Sequence, residues 1–308
     1  MREEPKRRAQ STCLTGCNTC TIIGLIILLC SASVAHGSGG VQDWLSALVG
    51  IAKTGADAVS NDMLVSPSGV RATDVILDVG SEPEEYIQGA IHIPYTVFLE
   101  ENHTLKPLPV VAGILGDAGI SRNDSVIVYG ECMPCGGGPS TATFVYWLMR
   151  YAGHEDVRVL DGGLDAWRTA GRPTQDRPSS RSRTVYDLNP RPELLANYTY
   201  VSTANAQLID ARPHGDYMAG TIPGSVNIPY EEVVEGDRIK SRQELERIFR
   251  GVDIERPVVV YTVTGIKASV VWFALRMMGY DARLYMYQDW YSHGGRIYIP
   301  AAGLTSTA

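Results

Sequence analysis

The sequence predicts an α/β protein of two tandem domains, each with a parallel sheet that carries helices on both faces. Two pairs of segments repeat within the chain without a gap. The segment "GISRNDSVIVYG" (119–130) matches "GVDIERPVVVYT" (251–262), and "TATFVYWLMRYAGH" (141–154) matches "KASVVWFALRMMGY" (267–280). In both copies short β-branched runs alternate with helical segments, a pattern typical of buried parallel strands joined by helical crossovers.

Each copy is predicted to follow the order strand, helix, short strand, helix, strand, loop, helix and strand. A further match, between residues 75–95 and 207–230, supplies the first strand and the short strand of each copy. In the second copy, Ser241 and Glu244 have the spacing of a capping box, which predicts that a helix begins there.

The domain boundaries follow from the repeat and from composition. We place the first domain at 41–172 and the second at 193–300, joined by a linker at 173–192 that is rich in proline, serine and arginine. The chain has 308 residues, of which 44% are hydrophobic, enough for two cores. Its net charge of −7 disfavours a nucleic-acid interface, so we expect no nucleic-acid partner.

Residues 1–35 are predicted to be a signal peptide. Lys6, Arg7 and Arg8 precede the apolar residues 21–35, which end in the small residues expected at a cleavage site. The apolar run is short for a membrane span. We therefore expect an exported protein, periplasmic or extracellular, that is anchored to a membrane only if the signal stays uncleaved.

Two cysteines are left once this segment is removed. Cys13, Cys17, Cys20 and Cys30 precede Ala35, whereas Cys132 and Cys135 form a C-x-x-C motif within "YGECMPCGGGPST" (129–141). The motif lies between a predicted strand and a predicted helix. A thiol held at a helix N-terminus has a lowered pKa and is more reactive, so both cysteines are candidate catalytic residues.

The residues after the motif are candidate substrate-binding residues. Gly136, Gly137 and Gly138 allow successive backbone N–H groups to point inward, toward a thiolate, a persulfide or an oxyanion. Ser140 or Thr141 is expected to cap the following helix. The loop has no lysine, which argues against a nucleotide phosphate site.

Other interpretations of the cysteine pair are a structural disulfide and a metal site. A disulfide across so short a loop stabilises the fold by only about 2 kcal/mol, and a two-domain chain does not need it. A zinc site needs four ligands, so His92 and His154 would have to join the two cysteines. We expect no metal and no cofactor.

Several motifs resemble those of the tandem rhodaneses, the two-domain sulfurtransferase family. They are "LIDAR", "GDYMAGTIPGSVNIPY" and "VVVYTVTGIKASVVWFAL" in the second copy and "ILDV", "EEYIQGAIHIPY" and "VRVLDGGLDAW" in the first. The resemblance implies that a loop cysteine takes sulfane sulfur from a donor such as thiosulfate or mercaptopyruvate, holds it as a persulfide and passes it to a nucleophile. In most two-domain members the second domain carries that cysteine.

The chain departs from this family pattern in both copies. In the second-domain loop "TVTGIK" (262–267), Thr262 stands in the cysteine position, with Gly265 and Lys267 after it, and a hydroxyl without an activating base is a weak nucleophile. We expect this loop to be inactive. The first-domain loop is six residues longer and places Cys135 just before the helix, while Gly80 stands where the second copy has Arg212.

The leading hypothesis is an exported sulfurtransferase that accepts sulfur on Cys135 and resolves the persulfide with Cys132. Its partners would be a small sulfur-donor anion and a thiol or protein that acts as acceptor or reductant. The alternatives are a thiol–disulfide oxidoreductase acting on sulfur or selenium oxyanions, and a non-catalytic binding scaffold.

Overall fold

The first domain is built on a five-stranded parallel sheet. The computed structural model describes residues 63–131 and 138–300, which all fall within one compact unit of the chain. In the described part of this domain the strands are β1 (Leu64–Val65), β2 (Val75–Asp78), β3 (Tyr86–Ile87), β4 (Ile91–His92), β5 (Val126–Tyr129), β6 (Val157–Leu160) and β7 (Thr174–Gln175). The sheet has the order β1-β6-β5-β2-β4, and β3 pairs separately with β7.

The second domain repeats this arrangement with four described strands in its main sheet. Its strands are β8 (Gln207–Asp210), β9 (Ser225–Asn227), β10 (Val234–Glu235), β11 (Arg238–Ile239), β12 (Val258–Thr262) and β13 (Ala282–Met286). The parallel sheet has the order β13-β12-β8-β9, and β10 and β11 form an antiparallel hairpin. A parallel bridge between Leu195 and Leu284 lies where the first domain has β1.

Helices cover the sheets and connect the parallel strands. In the first domain they are α1 (Leu108–Asp117), α2 (Ser140–Tyr151) and α3 (Gly163–Thr169), with 3-10 turns at Pro67–Gly69 and Tyr95–Phe98. In the second they are α4 (Tyr198–Thr203), α5 (His214–Ala219), α6 (Arg242–Ile248), α7 (Ala268–Met277) and α8 (Tyr287–Ser292), with 3-10 turns at Pro192–Leu194 and Tyr230–Val233. The capping box at Ser241 and Glu244 is confirmed at the start of α6.

The predicted fold class is confirmed, and so is the position of the two loops. Strands β5 and β12 are interior strands of their sheets and are completely buried, which explains their uninterrupted β-branched sequences. Each of the two loops begins at the carboxyl end of its strand and leads into a helix, α2 or α7. In parallel α/β sheets this edge is where ligands bind.

The helices that follow the two loops pack against each other and join the domains. The hydroxyl groups of Thr143 on α2 and Ser269 on α7 are hydrogen-bonded at 2.8 Å. Beside them, the ring of Tyr146 packs at 5.0 Å from Phe273 and 6.2 Å from Trp272, measured between ring centroids. These groups are buried. The starts of both helices are therefore fixed relative to each other.

The chain between the domains is not a free linker. Strand β7 falls within the predicted linker 173–192 and pairs with β3 of the first domain. Further on, the buried Tyr186 stacks on His154.

The described residues contain no helix long and apolar enough to span a bilayer. The predicted signal peptide, 1–35, lies outside the described residues.

A tight approach between β2 and β5 sets the start of the first-domain loop. The backbone N–H of Val79 donates to the carbonyl of Tyr129 at 2.8 Å. The next residue, Gly130, has a φ of +139°, and a Cβ atom built on it would collide with the backbone nitrogen of Gly80 and lie 2.9 Å from backbone atoms of Val79. A side chain at this position would have an unfavourable backbone conformation and would also overlap with neighbouring backbone atoms.

We predict that Gly130→Ala destabilises the protein more than Gly171→Ala. Gly171 also has a positive φ, +67°, but a Cβ atom there would meet no atom within 4 Å. The control should therefore lose only the backbone term, about 1–2 kcal/mol, while overpacking adds a further cost of about 1–3 kcal/mol at Gly130. Urea unfolding of the two variants measures this difference, and equal losses would contradict it.

Candidate active site

The first-domain loop runs from the end of β5 to the start of α2. Cys132, Cys135, Gly136 and Gly137 lie outside the described residues, so the predictions made for them remain predictions. The residues that border this segment are described on both sides, from Tyr129 to Glu131 and from Gly138 onward. They define where the loop begins and where it ends.

One hydrogen bond joins the two ends of the loop. The hydroxyl of Thr141 donates to the backbone carbonyl of Gly130 at 2.6 Å. Thr141 is buried in the first turn of α2, and Gly130 directly follows β5. The bond therefore ties the first turn of the helix to the end of the strand and holds the base of the loop closed.

The prediction that Ser140 or Thr141 caps α2 is wrong. The helix already begins at Ser140, and Pro139 occupies the cap position with φ −81° and ψ 14°, without a side-chain hydrogen bond. Both hydroxyl residues are thus inside the first turn. The Ser140 hydroxyl is buried and has no hydrogen-bond partner. Gly138 has a φ of +78°, and its N–H donates to Oδ1 of Asp237 at 3.2 Å. This N–H therefore already has a partner.

A cavity of about 620 Å³ opens at the carboxyl edge of the first sheet, beside the start of the loop. Its lining includes Tyr129, Gly130 and Gly80. Gly80 stands at the sequence position of Arg212 in the second domain. There, the Arg212 guanidinium is buried against Asp210, at 2.6 and 3.0 Å, and lies over the ring of Tyr287. With glycine in place of this arginine, the corresponding space in the first domain is open.

The cavity is strongly acidic. The carboxylates in its lining are Asp78, Glu82, Glu84, Glu85, Glu131 and Asp165. Arg168 also lines it, but its guanidinium is paired with Glu85 and with Asp165. The Asp78 carboxylate accepts from the Gly80 N–H at 2.8 Å and lies 3.1 Å from His92 Nδ1. The potential inside the cavity is therefore negative.

Glu131 titrates near neutral pH. Partial burial and the nearby carboxylates of Asp237 and Asp165 raise its pKa from the usual range to about 7, and Arg168 opposes this only weakly. A proton is thus held beside the loop at pH values where other glutamates are ionised.

The second-domain loop is occupied by structural interactions. The buried Thr262 hydroxyl accepts a hydrogen bond from the N–H of Ala268, the first residue of α7, at 3.3 Å. Gly265 has a φ of +82°. The ammonium of Lys267 donates to the Tyr230 hydroxyl at 2.6 Å and lies over its ring. The hydroxyl and the ammonium therefore already have partners.

The two histidines considered as zinc ligands have other roles. His154 is completely buried, with Nε2 at 2.9 Å from the carbonyl of Asp124 and Nδ1 at 3.2 Å from the Tyr186 hydroxyl. Burial lowers its pKa. His92 pairs with Asp78. Among residues 63–131 and 138–300, no group of three or more potential ligands could hold a metal ion.

Two residues beside the loop were not predicted from the sequence. Glu131 directly precedes Cys132, and the sequence pattern predicts no role for it beyond its place in the loop. Asp237 belongs to the turn between β10 and β11, more than a hundred positions further on, and no pattern in the sequence connects it to the first domain. A glutamate adjacent to a C-x-x-C motif was the one local signal available.

Comparisons with known proteins show which family this chain is similar to. The model of the rhodanese-like domain matches residues 64–170 and 196–292. The 3-mercaptopyruvate sulfurtransferase of Escherichia coli O157:H7 is 30% identical over 250 residues, which cover 72% of this chain and 86% of that protein. A Mycobacterium bovis protein whose description proposes thiosulfate sulfurtransferase activity is 27% identical, covering 78% of this chain and 97% of that protein.

Solved structures have the same fold. The crystal structure of the 3-mercaptopyruvate sulfurtransferase from Escherichia coli superposes with a TM-score of 0.65 at 24% identity, covering 73% of this chain and 98% of that chain. An anaerobic ergothioneine biosynthesis enzyme from Chlorobium limicola, solved with trimethyl histidine, gives a TM-score of 0.68 at 20% identity, covering 76% and 69%. The chain belongs to the rhodanese-like family and is a tandem-domain, sulfurtransferase-like enzyme.

Proposed function

We propose that this enzyme is exported and carries sulfane sulfur on Cys135 of its first domain. The observation that carries the proposal is the contrast between the two loops. In the second domain Thr262 replaces the cysteine and its hydroxyl binds the start of α7. In the first, the two cysteines of the predicted mature chain lie between the end of β5 and the start of α2.

The reaction needs a thiolate and a donor with a labile sulfur. The Cys135 thiolate attacks the outer sulfur of the donor, a new S–S bond forms at Cys135, and the donor's own bond to that sulfur breaks. With thiosulfate the leaving group is sulfite, and with mercaptopyruvate it is the pyruvate carbanion, which then takes a proton. The amide dipoles of α2 favour the thiolate and the persulfide at its N-terminus.

Sulfur then leaves by one of two routes. An external thiolate can attack the outer sulfur and carry it away, which regenerates the Cys135 thiolate. Alternatively, the Cys132 thiolate attacks the inner sulfur, and a Cys132–Cys135 disulfide forms as hydrosulfide departs. The second route reduces the sulfane sulfur by two electrons, so an external dithiol must return two electrons to the disulfide.

The charge of the cavity bears on the choice of donor. The names of the relatives point to mercaptopyruvate and thiosulfate, which are anions, and we predicted a small anion from the sequence. Glu82 and Glu84 are exposed carboxylates in the lining, and neither forms an ion pair with a cation among residues 63–131 and 138–300. Bringing a dianion near them costs free energy, more so at low ionic strength. The acidic lining therefore favours a donor of lower negative charge.

We predict that Glu82→Gln combined with Glu84→Gln raises kcat/KM for thiosulfate by roughly three- to tenfold at low salt. The gain should shrink as salt is added, because the repulsion is screened. Glu100→Gln with Glu101→Gln is the matched control, since these exposed carboxylates do not line the cavity. Steady-state kinetics at two salt concentrations measures the effect, and an equal gain in both double variants would refute a role of the cavity.

Cys135→Ser should abolish persulfide formation, because a serine hydroxyl stays protonated near neutral pH. Cys132→Ser should leave the first transfer intact and let the persulfide accumulate, since the internal resolving thiol is gone. Persulfide formation in a single turnover, measured by mass spectrometry of the loop peptide, distinguishes the two variants. Accumulation in Cys135→Ser and loss in Cys132→Ser would mean that the two roles are reversed.

Thr262→Ala should cost about 1 kcal/mol of stability through the lost bond at the start of α7, yet leave sulfur transfer nearly unchanged. Thr262→Ser keeps the hydroxyl and should restore the stability. Thermal unfolding and transfer rates are measured in parallel. A hundredfold loss of activity in a folded Thr262→Ala protein would show that the active loop is in the second domain.

A further inference from the structure

The carboxyl edge of the first sheet repeats the frame that holds a guanidinium group in the second domain. Asp78 is the register partner of Tyr129 in the pairing of β2 with β5. Asp210 and Tyr261 are partners in the same way between β8 and β12. Each aspartate accepts a hydrogen bond from the backbone N–H two residues later, at 2.8 Å in the first domain and 3.0 Å in the second. The two carboxylates therefore have matching places in their sheets.

In the second domain this carboxylate binds an arginine of the same chain. Asp210 accepts from the Arg212 guanidinium through both of its oxygens, at 3.0 Å from Nε and 2.6 Å from Nη2. The same Nη2 donates to the carbonyl of Gly220 at 2.6 Å, and the guanidinium lies 4.5 Å from the centroid of the Tyr287 ring. Such a two-point contact is the geometry in which a carboxylate recognises a guanidinium group.

The first domain keeps the carboxylate but lacks the arginine. Asp78, only 2% exposed, lines the cavity together with Gly80, which stands at the position of Arg212. Its Oδ1 contacts the Gly80 N–H and His92 Nδ1, at 2.8 and 3.1 Å. In the described part of the chain, no arginine or lysine is paired with Asp78. Because a buried carboxylate without a cation is costly, a cation that enters this space is favoured.

The rest of the cavity suits a small cationic molecule. Its volume of about 620 Å³ is in the range of small-molecule sites. Glu82 and Glu84, the exposed carboxylates of the lining, attract a cation that approaches from solution. Leu164 adds an apolar contact for the carbon chain of a ligand. The lining also contains Arg168, but its guanidinium is already paired with Glu85.

We infer that this cavity binds the guanidinium group of a small cationic molecule, which pairs with Asp78 as Arg212 pairs with Asp210. The second domain carries this cation in its own chain, whereas the first takes it from solution. The cavity borders Gly130, so the ligand lies beside the start of the first-domain loop. The binding does not depend on the proposed function. Only the view that the bound compound gives or receives sulfur rests on it.

The first test compares three probes by isothermal titration calorimetry of the intact protein at low salt. Butylguanidine carries a guanidinium cation, butylurea has nearly the same shape without the charge, and butylamine carries a cation that lacks the planar pair of N–H groups. Butylguanidine should bind, butylamine should bind several times more weakly, and butylurea should not bind. Equal binding of butylguanidine and butylurea, or no binding of butylguanidine, would overturn the inference.

Gly80→Arg tests the location of the site. A Cβ atom at Gly80 would lie 3.2 Å from Asp78 Oδ1 and 3.5 Å from the backbone oxygen of Glu131, so a small shift makes room for a side chain. The introduced guanidinium should then pair with Asp78, as Arg212 does with Asp210, and binding of butylguanidine should be lost. Gly80→Ala is the matched control, because it adds the Cβ atom alone and should still bind. Circular dichroism checks that both variants fold.

Glu82→Gln combined with Glu84→Gln should weaken butylguanidine binding by roughly three- to tenfold at low salt, and less at high salt. Glu100→Gln with Glu101→Gln is again the control. Unchanged binding in a folded Gly80→Arg protein, or an equal loss in the two double variants, would overturn the inference. If Gly80→Arg does not fold, the two double variants decide. If butylguanidine binds as expected while no donor transfers sulfur, the inference stands and the proposed function fails.

Discussion

The hydrogen bond from the Thr141 hydroxyl to the Gly130 carbonyl is the constraint on which the first-domain site depends. It closes the base of the loop that contains the C-x-x-C motif, between an interior strand and a helix. Its two ends are themselves fixed, one by the close approach of Gly130 to the backbone of Val79 and Gly80, directly after β2, and the other by the packing of α2 on α7. Loop chemistry of this kind requires such a rigid frame.

The two copies of the domain share this frame and have diverged at its edge. Tyr129 and Tyr261 are buried at matching positions, and their hydroxyls accept from backbone N–H groups of Ile87 and Ile222. The second copy fills the edge of its sheet with the buried Arg212, and its Thr262 hydroxyl accepts from the first N–H of α7. The first leaves that edge open, as an acidic cavity beside the loop. The two domains thus differ at the edge of the sheet where the proposed chemistry would take place.

The sequence was sufficient to predict the fold because the signals for it are local and occur twice. Aligned β-branched runs gave β5 and β12, and the capping box gave the start of α6. The cap on α2 was mispredicted because the choice of first helical residue depended on Pro139, which lies in the cap position without an extended conformation. The contact of Asp237 with Gly138 joins residues of different domains, and no local pattern specifies such a contact. The acidic cavity was not predicted from the sequence either, although the sequence has Gly80 at the position that matches Arg212.

The most direct test of the central claim is to locate the transferred sulfur. The reduced wild-type protein is exposed to thiosulfate, mercaptopyruvate and polysulfide in turn, and its peptides are then analysed by mass spectrometry. We expect a mass increase of one sulfur atom on the peptide that contains Cys135, and an added thiol should remove it. A protein that gains no sulfur from any of these donors, while its cysteines remain reduced and accessible, would contradict it.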